Sequence, residues 1–183
     1  MRKVVYGGAV SLDMYLARED GRVDWLIFDP DAMKLMAGMW DRFDVMVMGR
    51  KTWAVSMEQF SQEDLKKAEE MKGDMRSYVF SRTHEAGTFG SYEIVNDDPV
   101  EFVRELKALQ GKDICVMGGG EIGSLLLDAG LVDEVGFNVH PVLLGSGVPA
   151  FNFNKMSRQV DLELVECKPM KSGCVYVLYN VKN

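Results

Sequence analysis

Histidine and cysteine are scarce in this chain, and the few present stand apart. The two histidines, His84 and His140, are isolated from each other and from any ligand-spaced cysteine, which argues against a zinc site. Three cysteines, Cys115, Cys167 and Cys174, form no C-x-x-C pair, and their odd number suits reduced, packed thiols in a cytosolic protein. Positive charge is also short. With 21 Lys and Arg against 28 Asp and Glu the formal net charge is -7, so no nucleic-acid partner is expected. No apolar run approaches the roughly 20 residues of a membrane-spanning helix. The segment Met1-Arg2-Lys3-Val4-Val5-Tyr6 goes straight into a strand pattern without a secretory leader, so a cytoplasmic protein with no membrane partner is expected.

What is present is an ordinary globular composition, 183 residues of which 47% are hydrophobic, enough for one domain over 1–183 with a sizeable core. Strand-like runs fall at roughly 3–10, 44–49, 77–81, 91–95, 113–118, 134–141, 160–169 and 173–181. Helical patterns lie between them. Met33, Met36, Trp40 and Phe43 follow Pro30 at helical spacing, a second helix follows Gly49 through about Phe60, and Glu63 to Lys72 reads as a charged, exposed helix. Asp98-Pro99 opens another, and a last helix carries Ile122, Leu125, Leu126 and Ala129 and closes at Gly130. This alternation predicts an α/β fold: a mostly parallel central sheet of about eight strands, helices on both faces, and a C-terminal antiparallel hairpin. Leu143 to Pro149 is expected to be a loop.

Two strand-to-helix junctions carry the chemistry. In Val45-Met46-Val47-Met48-Gly49-Arg50-Lys51-Thr52-Trp53 and in Ile114-Cys115-Val116-Met117-Gly118-Gly119-Gly120-Glu121-Ile122-Gly123, an apolar run meets glycine where a helix begins. Glycine allows a tight turn and a close ligand, and the helix start offers free N–H groups to an anion. Arg50 and Lys51 oppose the helix dipole at their position, which a bound phosphate explains. Ser81-Arg82-Thr83, after a third strand, adds a guanidinium suited to phosphate. The run 118–123 formally matches G-x-G-x-x-G, but the acids Asp133 and Glu134 stand at the beginning of the next strand instead of its end, so an ordinary Rossmann domain is not expected.

The order Ser11-Leu12-Asp13, Gly49-Arg50-Lys51-Thr52-Trp53, Ser81-Arg82-Thr83 and Gly118-Gly119-Gly120 resembles the dihydrofolate reductase fold, a three-layer α/β/α architecture. The stretches Gly130-Leu131-Val132-Asp133-Glu134-Val135 and Pro141-Val142-Leu143-Leu144-Gly145-Ser146-Gly147, with Phe151, resemble one branch more closely: the reductase domain of the bifunctional riboflavin-biosynthesis deaminase-reductase and its stand-alone relatives. The resemblance implies an NADPH-dependent reductase acting on a small heterocyclic or sugar-derived substrate. The nearest activity is 5-amino-6-(5-phosphoribosylamino)uracil reduction, with folate reduction or a non-catalytic nucleotide-binding module as alternatives. It implies that Arg50, Lys51 and Thr52, beside Gly49, hold phosphates and that Ser81 and Arg82 grip the 2′-phosphate. Gly118, Gly119, Gly120, Glu121 and Ile122 would seat the diphosphate, with Ala9 to Asp13 passing the nicotinamide. Asp31, with Asp29 beside it, stands near the family's active-site acid, though either could simply favour a helix start. Asp13, Trp25 in a lid after Glu19-Asp20-Gly21, and His140 in the pocket floor are expected substrate contacts. A homodimer is expected, with the hairpin near the interface and apolar surface on Val175, Val177, Leu178 and Val181.

Overall fold

The alternation of Val4, Tyr6 and Val10 against Val5 in the first strand sends side chains to two opposite faces, and both faces are buried. The computed structural model describes residues 1–28 and 30–182 and all their side chains but those of Ala32 and Met36, so Asp29 lies outside the described residues. Among the described residues eleven strands are present: β1 (Val4–Ser11), β2 (Tyr15–Ala17), β3 (Phe43–Gly49), β4 (Arg76–Phe80), β5 (Gly87–Phe89), β6 (Tyr92–Val95), β7 (Asp113–Met117), β8 (Glu134–His140), β9 (Val148–Pro149), β10 (Asp161–Pro169) and β11 (Val175–Lys182). Five α-helices join them: α1 (Pro30–Trp40), α2 (Arg50–Gln59), α3 (Gln62–Lys72), α4 (Pro99–Ala108) and α5 (Gly120–Asp128).

Nine strands form one sheet in the order β10-β11-β8-β1-β7-β3-β4-β6-β5. The run from β8 to β6 is parallel, and antiparallel strands finish both ends. On one face Val103 and Leu106 of α4 and Leu126 and Leu127 of α5 pack over Val45, Val47, Ile114 and Val116. On the other, Trp40 of α1 and Trp53 and Met57 of α2 pack over Val5, Met46, Met48 and Cys115. The fold is therefore three layers, with β1 near the middle of the sheet.

The eight expected strands are all found, and three short ones are added. β2, β5 and β9 have at most three residues each, too few for a period to show. β9 lies inside the stretch expected to be a loop and pairs with β2 in a separate two-stranded sheet. The C-terminal hairpin forms as expected, but its exposed apolar residues are not those expected. Leu178 is buried, and Val177 and Val181 pack against the core. The edge is β10, exposed along its length, with Leu162, Leu164 and Val165 in solvent. Cys167 lies on that strand and is exposed, whereas Cys115 and Cys174 are buried.

Charges close the edge of the sheet where the parallel strands begin. Arg42 donates to Asp113 and to the buried Glu134, each at 2.6 Å, and Lys3 reaches Glu134 at 2.7 Å. Arg2, itself buried, pairs with Asp44. The opposite edge, where β3 and β7 end in glycine turns, is open.

Candidate functional site

That open edge holds a cleft of about 1120 Å³. Its floor is sheet: Gly7 and Ala9 of β1, Cys115 and Met117 of β7, Gly136 and Asn138 of β8. Gly7 and Gly136 face each other in register, and a Cβ on Gly7 would lie 1.9 Å from the Gly136 carbonyl oxygen. The close approach forbids a side chain and leaves bare backbone as a shelf. Burial pushes the Cys115 thiol and the Tyr176 hydroxyl beside the shelf up to about 12, so both keep their protons at neutral pH.

Two helix starts meet at one end of the shelf. Gly49 precedes α2 and Gly119 precedes α5, and neither helix is capped by a side chain. By contrast α3 is capped by Ser61 and α4 by Asp98. Gly118 and Gly119 have φ of 54° and 66°, the left-handed region that glycine alone enters freely. A Cβ on Gly118 would lie 3.2 Å from Thr52 Cγ2, and one on Gly120 2.2 Å from the Pro149 carbonyl oxygen. The two turns thus pack on each other through Thr52, and the uncapped N–H groups of Arg50, Lys51 and Thr52 lie beside those of Gly120, Glu121 and Ile122. A diphosphate fits such a pair of positive helix ends.

The third strand end completes this half. Ser81 Oγ accepts from the N–H groups of Thr83 at 3.2 Å and His84 at 2.9 Å, and Asn96 Nδ2 donates to the Ser81 carbonyl at 2.6 Å. These bonds shape a turn that leaves Arg82 91% exposed at the cleft rim, its guanidinium 3.9 Å from Glu121. Ser81 thus builds the turn, and the Arg82 guanidinium stands in solvent beside the Glu121 carboxylate.

The other half is covered by residues 18–28 and bordered by α1. Gln59 at the end of α2 clasps this segment twice, donating to the Gly21 carbonyl at 2.8 Å and accepting from Val23 N–H at 3.0 Å. Further on, Ile27 N–H donates to His140 Nδ1 at 3.2 Å, and the other ring nitrogen, Nε2, lies 3.3 Å from Asn138 Nδ2. The segment is therefore a strap pinned to α2 on one side and to β8 on the other.

Of the site residues expected from sequence, Ala9, Gly49, Arg50, Lys51, Thr52, Ser81, Arg82, Gly118 to Ile122 and His140 are brought to one cleft. Asp13, Trp25 and Asp31 are not among its lining residues. The Asp13 carboxylate accepts from Ser11 Oγ at 2.6 Å and Gly145 N–H at 2.7 Å, bonds that hold it below the usual carboxylate range and tie the 143–145 segment to β1. Trp25 is buried with its ring edge-on to His140, 5.3 Å between centroids, and fixes the strap. Asp31 is exposed in the first turn of α1. His140 lines the cleft, is only 2% exposed, and accepts from the strap at Ile27 N–H. The sequence reading missed Gln59, the apolar face of α1 and the glycine shelf. Glycines inside strands, Gly7 and Gly136, are a signal that could have revealed the shelf.

The RibD C-terminal domain family matches residues 2–176 of the chain. The uncharacterized protein YyaP of Bacillus subtilis (strain 168) is 31% identical over 183 residues, covering 98% of this chain and 95% of its own. A crystal structure from Shewanella sp. PV-4, provisionally named a riboflavin biosynthesis protein, superposes with a TM-score of 0.77 at 24% identity, covering 100% of both chains. The diaminohydroxyphosphoribosylaminopyrimidine deaminase/5-amino-6-(5-phosphoribosylamino)uracil reductase of Thermotoga maritima superposes at 0.69 with 19% identity, covering 99% of this chain and 57% of its own. These two structures agree with the fold described above, and the match over residues 2–176 shows that the chain belongs to the RibD C-terminal domain family.

Proposed function

We propose that this protein is an NADPH-dependent reductase, one reductase domain that delivers hydride to a small heterocyclic or sugar-derived acceptor. The observation that carries the reading is the pair of uncapped glycine helix starts abutting at Thr52, beside a bare sheet floor. Bound NADPH supplies the hydride. The N–H groups of Arg50 to Thr52 and of Gly120 to Ile122 hold its diphosphate, and Arg82 takes the 2′-phosphate with Ser81 shaping the turn beneath it. Gly7 and Ala9 let a flat ring lie against the sheet, and the strap 18–28 shields it from water. Reduction of 5-amino-6-(5-phosphoribosylamino)uracil, the activity in the name of the Thermotoga relative, is the reference reaction. The protein works in the cytoplasm as a homodimer on this reading. Titration with NADPH and, separately, NADH under nicotinamide fluorescence tests it. Tight NADPH binding with much weaker NADH binding is the expected result, and binding of neither would make the glycine turns purely structural.

A further inference from the structure

We propose that the acceptor is a flat, apolar ring carrying no phosphate or phosphorylated sugar, an inference that rests on the reductase reading above. Cations line one end of the cleft, where Asp97, Asp98 and Glu121 line it too. Its basic lining residues, Arg50, Lys51, Arg82 and Lys155, all belong to the glycine-turn end. Arg50 and Lys51 start α2, Arg82 follows β4, and Lys155 ends the short turn Phe153–Lys155 that packs on α5. The nicotinamide dinucleotide brings its own phosphates to that end and uses those groups.

The far end, between the strap and α1, is lined by Leu26, Ile27, Phe28, Met33, Met39 and Trp40. The charged side chains lining that end among the described residues are acids, Glu19 and Asp20 on the strap and Glu58 on α2. The nearest cations do not line the cleft. Arg18 is tied to Asp24 and Arg22 to Asp20, each at 2.7 Å, and Lys34 is exposed on α1. The start of α1 already has the Asp31 carboxylate in its first turn. A phosphate dianion at this end would lose hydration beside these carboxylates, and among the described residues no cation lines this end to offset that cost.

The same end fits an uncharged ring. Phe28 is 63% and Ile27 38% exposed, apolar surface that a ligand would take out of water, with Phe28 held edge-on to Phe60. Met33 and Met39 are flexible, polarizable walls that adapt to ring faces. At the shelf Gly7 and Gly136 add no side chains, and the Tyr176 hydroxyl stands 3.1 Å from where a Gly136 Cβ would be. In turnover the acceptor gains a hydride at an electrophilic carbon or ring nitrogen and a proton from solvent at the conjugated heteroatom, two electrons in all, and the nicotinamide is left oxidised.

The test compares menadione and lumichrome, as flat uncharged rings, with 5-amino-6-(5-phosphoribosylamino)uracil and its dephosphorylated form, after NADPH binding has been measured on the same preparation. Saturable NADPH oxidation with a flat ring is expected, and removing the phosphate from the uracil compound should leave its KM within about threefold or lower it. Met33→Lys, which puts a cation in the apolar wall, should raise the KM for the flat rings about tenfold with NADPH affinity unchanged. A preference of tenfold or more for the phosphorylated compound would overturn the proposal. So would failure of both flat rings either to be reduced or to bind the NADPH-loaded protein. Either result with NADPH bound sinks the substrate class alone, whereas no NADPH binding sinks the reductase reading and this inference with it.

Discussion

Arg82 and Ser81 divide one task between them. The Ser81 hydroxyl spends its accepting capacity on two backbone N–H groups, and the turn it makes aims Arg82 into solvent, 3.9 Å from Glu121. A guanidinium so exposed contributes little to folding but is free to pair with a phosphate. Arg82→Ala is therefore expected to weaken NADPH roughly tenfold while leaving NADH binding and thermal stability unchanged. Parallel fluorescence titrations and a melting curve check this, and equal losses for both dinucleotides would remove Arg82 from the 2′-phosphate. Asp13 shows the opposite case at this scale. Its carboxylate looks like a ligand group in the sequence, yet Ser11, Leu144 and Gly145 occupy it. Nothing local distinguishes the two residues, because a side chain is free or engaged only by virtue of what the fold brings to it.

At the scale of elements, the helices and long strands were legible because their period of apolar residues extends over several turns or pleats. Pro30, Asp98-Pro99 and Gly130 marked boundaries that the structure keeps. β2 and β9 were not legible, and of the strap the sequence offered a lid after Glu19-Asp20-Gly21 but not its anchors, since these come from partners distant in sequence. Gln59 holds the strap by two hydrogen bonds at separations of 36 and 38 residues. Gln59→Ala should cost about 1 kcal/mol and act locally. Faster amide exchange at Gly21 to Trp25, with α4 and α5 unchanged, is the expected signature by hydrogen-exchange mass spectrometry. Uniformly faster exchange would mean that the strap belongs to the global folding unit.

Across the whole molecule the two edges of the sheet have opposite characters. One carries paired charges and the other uncapped helix starts. Burial raises the Glu134 carboxyl, but hydrogen bonds from Arg42 and Lys3 outweigh it and hold the group below its ordinary value of 4.5. A depressed folded-state value stabilises the fold above about pH 4.5, and that contribution is lost as pH falls towards the folded value. Glu134→Gln should cost about 2 kcal/mol at neutral pH and flatten the acid limb of the stability profile. Urea unfolding at neutral pH and near pH 4 reads both effects, and an unchanged acid limb would place the acid sensitivity elsewhere. The outer edge bears on assembly. β10 exposes Leu162, Leu164 and Val165, so the proposed homodimer should form along this strand and Leu164→Lys should weaken it. Sedimentation of the unaltered protein as a monomer at micromolar concentration would remove the dimer.

The sequence by itself determined the α/β layering, the long elements and the residues at the three strand ends, because periodicity, caps and glycine turns act over a few residues. The tertiary structure alone decided that those strand ends face one another, that Gly7 and Gly136 make a shelf, that Asp13 and Trp25 brace loops, and that the far end of the cleft is apolar and lacks lining cations among the described residues. These are contacts between segments a hundred residues apart in places, and only the sheet order that brings β8 beside β1 and α1 over β11 sets them.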